Sequence, residues 1–371
     1  MQIRRHLEAL PPYTPIEPFE VLSARLGRRA DEIIKLDANE NPYGPLPQVR
    51  EALADLPYAH IYPDPESRAL RKGLAEFTGL PMDFLLAGAG ADELIDLLMR
   101  VFLDAGDRVL IYPPTFGMYA FDGQLNHAQV IEAYRREDFS LDIEAIRRQV
   151  RQYSPKLTFI ASPNNPDGSL LPSDVLDEIL DLSTLVVLDE AYIEFADPGG
   201  TLGRSISRIN QVPLRRNLVV LRTFSKWAGL AGLRVGYGAF PEWLMPTLWK
   251  AKQPYNVNVA ASAAALISLE NQAALRGVVE RIIKERERLM RECSRFSFLK
   301  IYPSSANYVL MQVFGIEAVE LKRRLAQEFG ILVRHFNTPR LQDHIRISVG
   351  KAEDTEALVQ ALETLSKEIV R

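Results

Sequence analysis

The sequence predicts an α/β protein with a large domain on a mostly parallel central sheet and a smaller α+β domain after it. Three observations carry this reading. Between about residues 84 and 240, short apolar runs alternate with segments of helical spacing. The runs are continuously apolar, as strands buried on both faces of a parallel sheet must be. Beyond about residue 260 the pattern changes to long charged helical stretches separated by isolated apolar runs.

Residues 1–45 read as an arm that joins the small domain and a dimer contact. Pro11, Pro12, Pro15 and Pro18 argue against regular helix there. The arm ends in Asn39-Glu40-Asn41-Pro42-Tyr43-Gly44-Pro45, rich in turn formers. Residues 46–265 form the expected large domain. Its strand candidates are Val109–Tyr112, Leu157–Ala161, Leu185–Leu188, Leu218–Leu221 and Val235–Ala239. Leu94, Leu97, Leu98, Val101 and Phe102 recur at the spacing of one helix face. Residues 266–371 form the expected small domain. It opens on one long helical stretch from Ala260 to about Arg295. The runs Asn307–Val313, Ile331–His335 and Ile345–Val349 follow, with helices near 316–329 and 352–370.

Composition narrows the function classes. With 44 basic and 48 acidic residues the net charge is −4, so no nucleic-acid surface is expected. A single cysteine, Cys293, excludes internal disulfides and CxxC zinc sites. With five histidines and no HExxH, a metal site would have to be mostly carboxylate, and none is expected. The longest nearly apolar run, Val259–Leu269, is too short to span a bilayer. The basic start, Met1–Leu10, lacks the apolar stretch of a secretion signal, which points to the cytoplasm.

Four segments carry chemistry. Leu221-Arg222-Thr223-Phe224-Ser225-Lys226 is an apolar strand ending in two hydroxyls and a lysine, with Gly229, Gly232 and Arg234 beyond it. Ligands of open α/β sheets bind at such strand ends. An amine shielded from water can attack a carbonyl, and hydroxyls with an arginine can hold a phosphate. Leu185–Leu188 runs into Asp189-Glu190-Ala191-Tyr192, an acidic pair fit for magnesium or for a buried cationic ring nitrogen. Gly88-Ala89-Gly90-Ala91-Asp92-Glu93 precedes a helix and could offer backbone N–H groups to a phosphate. It fails as a dinucleotide fingerprint, because Glu93 stands where the third small residue belongs, and no GxxxxGK[ST] occurs. Ser162-Pro163-Asn164-Asn165-Pro166-Asp167-Gly168 is a polar turn at a strand end.

In order and spacing these segments resemble the fold-type-I pyridoxal-phosphate-dependent enzymes, and within them the histidinol-phosphate aminotransferase family. Asn39–Gly44, Tyr62-Pro63-Asp64, Pro113–Tyr119, Ser162–Gly168, Asp189–Tyr192, Thr223–Arg234 and Arg346-Ile347-Ser348-Val349-Gly350 all match in order. The likeness runs from about residue 35 to the C-terminus. Aromatic-amino-acid aminotransferases and threonine-phosphate decarboxylases share much of this motif set. A nicotinamide enzyme using Gly88–Gly90 is the rival of another class.

The resemblance implies the roles. Lys226 would attach the pyridoxal 5'-phosphate covalently and shuttle the substrate proton. Asp189 would pair with the ring nitrogen, Asn165 and Tyr192 with the ring oxygen, and Phe116 would stack on the ring. Ala91, Asp92, Thr223, Ser225 and Arg234 would hold its phosphate, with Tyr62 reaching across from the second subunit of a homodimer. Arg346 would grip the α-carboxylate of glutamate or 2-oxoglutarate. Arg334 would bind the phosphate of histidinol phosphate, with Tyr13 and Asn41 closing over it. Two departures stand out: Asp167 replaces the family's usual threonine, and Trp227-Ala228 follows the lysine.

Overall fold

The structure is a computed structural model that describes residues 3–12, 17–197 and 199–369. The chain enters through β1 (Ile34–Leu36). It then builds β2 (Leu85–Gly88), β3 (Arg108–Ile111), β4 (Gln129–Glu132), β5 (Leu157–Ala161), β6 (Leu185–Asp189), β7 (Leu218–Thr223) and β8 (Gly236–Ala239). It finishes with β9 (Leu299–Ile301), β10 (Tyr308–Val313), β11 (Ile331–His335) and β12 (His344–Ser348).

The larger sheet has the order β2-β8-β7-β6-β5-β3-β4. Strands β4, β3, β5, β6 and β7 run parallel, and β8 is antiparallel to both of its neighbours. Strands β5, β6 and β7 are buried along their whole length. Their continuous apolar runs therefore face helices on both sides. The smaller sheet has the order β1-β11-β12-β10-β9, with β1 parallel to β11 and the rest antiparallel. Among the described residues no helix is long and apolar enough to cross a membrane.

Several elements differ from the sequence reading. The arm is not free of helix: Arg5–Glu8 and Phe19–Leu26 are helical. The second begins directly after Pro18, where a missing N–H costs nothing. The stretch from Ala260 is two helices, Val259–Glu270 and Gln272–Cys293, separated at Asn271. The Asn271 side chain donates to the Ile267 carbonyl at 2.8 Å and satisfies the end of the first helix. That helix packs on Pro47–Ala54 and Arg68–Thr78, and Gly73 lets Leu266 and Leu269 approach. Strands β1, β2, β4 and β9 have no counterpart in the sequence reading. β4 is an edge strand whose ends, Gln129 and Glu132, are exposed, so it lacks a continuous apolar run.

Candidate active site

The C-terminal ends of β5, β6 and β7 meet the start of helix Ala91–Phe102 around one cavity. Its lining includes every cofactor residue expected above except Tyr62, together with Tyr119, Ala161, Ala191 and Ala231. The convergence follows from topology, since parallel strands release their loops on one edge of the sheet.

Asp189 closes β6 and is 6% exposed. Tyr119 donates to its Oδ2 at 2.6 Å, and the Ala191 N–H donates to Oδ1 at 3.0 Å. Burial pushes this carboxyl up to about 6, while the two hydrogen bonds act in the opposite direction. Glu190, the other member of the acidic pair, points elsewhere by strand alternation. It accepts from Ser207 Oγ and the Arg208 N–H. The two carboxylates therefore do not converge on one metal.

Thr223 Oγ1 and Ser225 Oγ lie 2.9 Å apart at the end of β7. Arg234 Nη2 donates to Asp92 Oδ2 at 2.7 Å. Gly90 has φ +84°, and a Cβ there would stand 2.7 Å from the Arg234 guanidinium. A Cβ on Gly236 would stand 2.8 Å from the Ala91 nitrogen. The glycines thus keep open a cradle of helix N–H groups, hydroxyls and one arginine, the donor set an anionic phosphate needs. A buried carboxylate opposite that cradle suits a ring N–H. The residues therefore fit pyridoxal 5'-phosphate.

Lys226 is half-buried, with Nζ 3.4 Å from the Ala38 carbonyl and 5.7 Å from the centre of the Tyr192 ring. Trp227 behind it is fully buried, stacks on Phe77 and donates Nε1–H to the Thr223 carbonyl at 2.9 Å. The departure after the lysine is thus an anchor for the lysine loop. Asp167, the other departure, accepts from the Asn164 side chain and the Ser169 N–H, pinning the turn that presents Asn165.

A second, larger cavity adjoins the first and shares Phe116, Asn165, Tyr192 and Lys226 with it. Arg334 and Arg346 reach it from the smaller sheet, where they are directly paired across β11 and β12. Like charges in that register repel. Arg346 is 6% exposed, donates to Asn165 Oδ1 at 2.6 Å and to the Asp37 carbonyl at 2.8 Å, and leaves its Nε without a partner. Among the described residues neither arginine has a carboxylate within ion-pair distance. Two buried or half-buried guanidinium groups side by side define an anion site.

Asn41 lines neither cavity. Its amide donates to the Trp227 carbonyl at 3.0 Å and so ties the arm to the lysine loop. Asn39, together with Ala38, brings the arm to the lining of the larger cavity. It donates to the Tyr192 hydroxyl at 3.2 Å and adopts φ 55°, which asparagine tolerates better than most. Tyr62 is 79% exposed, lines neither of these two cavities, and stacks on Tyr255. Tyr13 lies outside the described residues. Tyr119 and Asn39 have no role in the sequence reading, though both fall inside quoted motifs.

A two-sheet fold with a lysine, a buried aspartate and a phosphate cradle at the strand ends defines a pyridoxal-phosphate-type aminotransferase. Residues 31–362 match the model of the aminotransferase class I and II family, and the chain belongs to that family. It is 54% identical to the chloroplastic histidinol-phosphate aminotransferase of Nicotiana plumbaginifolia over 97% of this chain and 86% of the relative. It is 46% identical to the histidinol-phosphate aminotransferase of Roseiflexus castenholzii, over 98% of each. Among solved structures, the histidinol-phosphate aminotransferase of Sinorhizobium meliloti in complex with pyridoxal-5'-phosphate superposes with a TM-score of 0.88. That match has 27% identity and covers 99% of this chain and 98% of the other.

Proposed function

We propose that this protein transfers the amino group of L-histidinol phosphate to 2-oxoglutarate, giving imidazole acetol phosphate and glutamate, as histidine biosynthesis requires. The observation that carries the reading is the pairing of a cofactor-shaped cavity with an adjoining anion site built on Arg334 and Arg346. Its compartment is read as cytoplasmic, a reducing setting that suits a single buried free cysteine.

Pyridoxal 5'-phosphate, when bound, supplies the electron-withdrawing ring on which amino groups are exchanged. The chain's residues do the rest. Lys226 Nζ would hold the cofactor and, once released from it, would move the proton between the substrate Cα and the cofactor's C4′, on the far side of the amino nitrogen. Asp189 holds a proton on the ring nitrogen, and Tyr119 keeps that carboxylate oriented. Asn165 and Tyr192 bind the ring oxygen, and Phe116 covers the ring face. The N–H groups at Ala91 and Asp92, with Thr223, Ser225 and Arg234, bind the cofactor phosphate. Tyr62 completes that phosphate site from the other subunit of a homodimer. Arg346 binds the α-carboxylate of glutamate or 2-oxoglutarate, and both arginines bind the phosphate of histidinol phosphate.

Transamination assays with histidinol phosphate, phenylalanine, tyrosine and threonine phosphate test the reading. Histidinol phosphate is the expected best amino donor by kcat/KM. A higher value for an aromatic amino acid would reassign the substrate.

A further inference from the structure

The larger cavity has an uneven wall. Lys226, Arg334 and Arg346 make it cationic, and Glu132 is the one carboxylate on its lining. Glu132 ends β4 on the larger sheet, whereas the two arginines come from the smaller sheet. Tyr134 donates to Glu132 Oε2 at 2.7 Å and lines the same cavity. The phenol lies beneath Arg340, 5.8 Å from its guanidinium carbon. Among the described residues no donor meets Glu132 Oε1, and no cation lies within ion-pair distance of it. One oxygen is thus held and the other is left as an acceptor at the cavity wall. An exposed glutamate ordinarily samples solvent, but this one is tethered where a substrate arm must pass.

We propose that Glu132, held by Tyr134, accepts the imidazole N–H of the amino donor and thereby selects a heteroaromatic N–H over an acidic side chain. The inference rests on reading the cavity as the histidinol-phosphate site. Two arms leave the substrate carbon that bears the amine. The phosphate arm suits the arginine pair of the smaller sheet. The ring arm suits the wall of the larger sheet, where Phe116 and Tyr134 give aromatic surface and Glu132 gives the acceptor. A carboxylate also repels a second carboxylate brought near it. Glutamate and 2-oxoglutarate therefore gain nothing from Glu132.

The test is Glu132→Gln, which keeps size and loses charge, assayed as the holoenzyme. The expected result is a roughly tenfold loss of kcat/KM for histidinol phosphate. No loss is expected for glutamate, or for 2-aminopropyl phosphate, which has the amine and phosphate without the ring. Competitive inhibition by 3-(imidazol-4-yl)propyl phosphate, which lacks the amine, should weaken by a similar factor and reports binding alone. An unchanged value for histidinol phosphate, or equal losses on all three amines, overturns the proposal. A native protein that turns over glutamate but not histidinol phosphate instead refutes the functional reading, before any variant is compared.

Discussion

Tyr119 donates its phenolic proton to Asp189 Oδ2 at 2.6 Å, and both groups are buried beneath the lysine loop. Burial and the charge of Asp189 push the phenol well above its ordinary value, so it stays a donor at any working pH. The Tyr119 ring also stacks on Phe159 and meets Phe116 edge-on. Tyr119→Phe therefore keeps the packing and removes only the hydrogen bond. The expected outcome is a roughly tenfold lower kcat, the order for a hydrogen bond to a charged group, with an unchanged circular dichroism spectrum. A wild-type kcat would reduce Tyr119 to a packing residue.

Asp189 makes the cofactor-free protein sensitive to pH in an unusual direction. Its folded-state value of about 6 lies above the ordinary 3.8 because burial disfavours the charge. The folded state therefore holds the proton more tightly than the unfolded state. The resulting stability is complete below about pH 4 and is lost as pH rises through about 6. Asp189→Asn carries no such charge. Melted without cofactor, the variant should exceed the native protein in Tm at pH 7.5, with the gap closing towards pH 4. A gap that does not depend on pH would show that the carboxylate is compensated in the folded protein.

Arg334 and Arg346 face each other across β11 and β12, and among the described residues no carboxylate pairs with either. Arg334→Ala should raise the KM for histidinol phosphate roughly 10- to 150-fold, the loss of a charged hydrogen bond to phosphate. Histidinol and phenylalanine, which lack the phosphate, should be affected far less. Equal losses with and without phosphate would assign Arg334 a structural role.

Tyr62 is exposed beside Tyr58 and Ile61, which are also exposed. If Tyr62 serves the other subunit's cofactor, mixed subunits complement each other. Tyr62→Ala combined with Lys226→Ala should give hybrid dimers with one intact site, and activity above the sum of the separate variants. A mixture no more active than its parts, in subunits shown to exchange, would place Tyr62 outside the site.

The parts of the site that were legible in the sequence lie at the ends of uninterrupted apolar runs. Asp189 follows Leu185–Leu188, and Ser225-Lys226 come shortly after Leu218–Leu221, so local pattern and parallel topology together set their positions. Tyr119 reads as one more core aromatic, because its partner lies on another element and only the packed chain brings them together. Asn39 has the same difficulty: its turn-forming neighbourhood is evident, but its contact with Tyr192 is not. The edge strand β4 is hidden by its polar ends, and with it Glu132. The break at Asn271 is hidden because a single asparagine leaves helical periodicity almost intact on both sides.

Strand β1 is short, yet the three residues after it carry more than its size suggests. The Asp37 carbonyl accepts from Arg346, the Ala38 carbonyl lies against the Lys226 ammonium, and the Asn39 side chain reaches Tyr192. β1 itself belongs to the smaller sheet through β11. A rigid rotation of that sheet would drag the Ala38 oxygen along with the anion-binding arginines. The anion-binding arginine and the contact on the lysine amine are thus joined through two neighbouring residues, Asp37 and Ala38, of one bend.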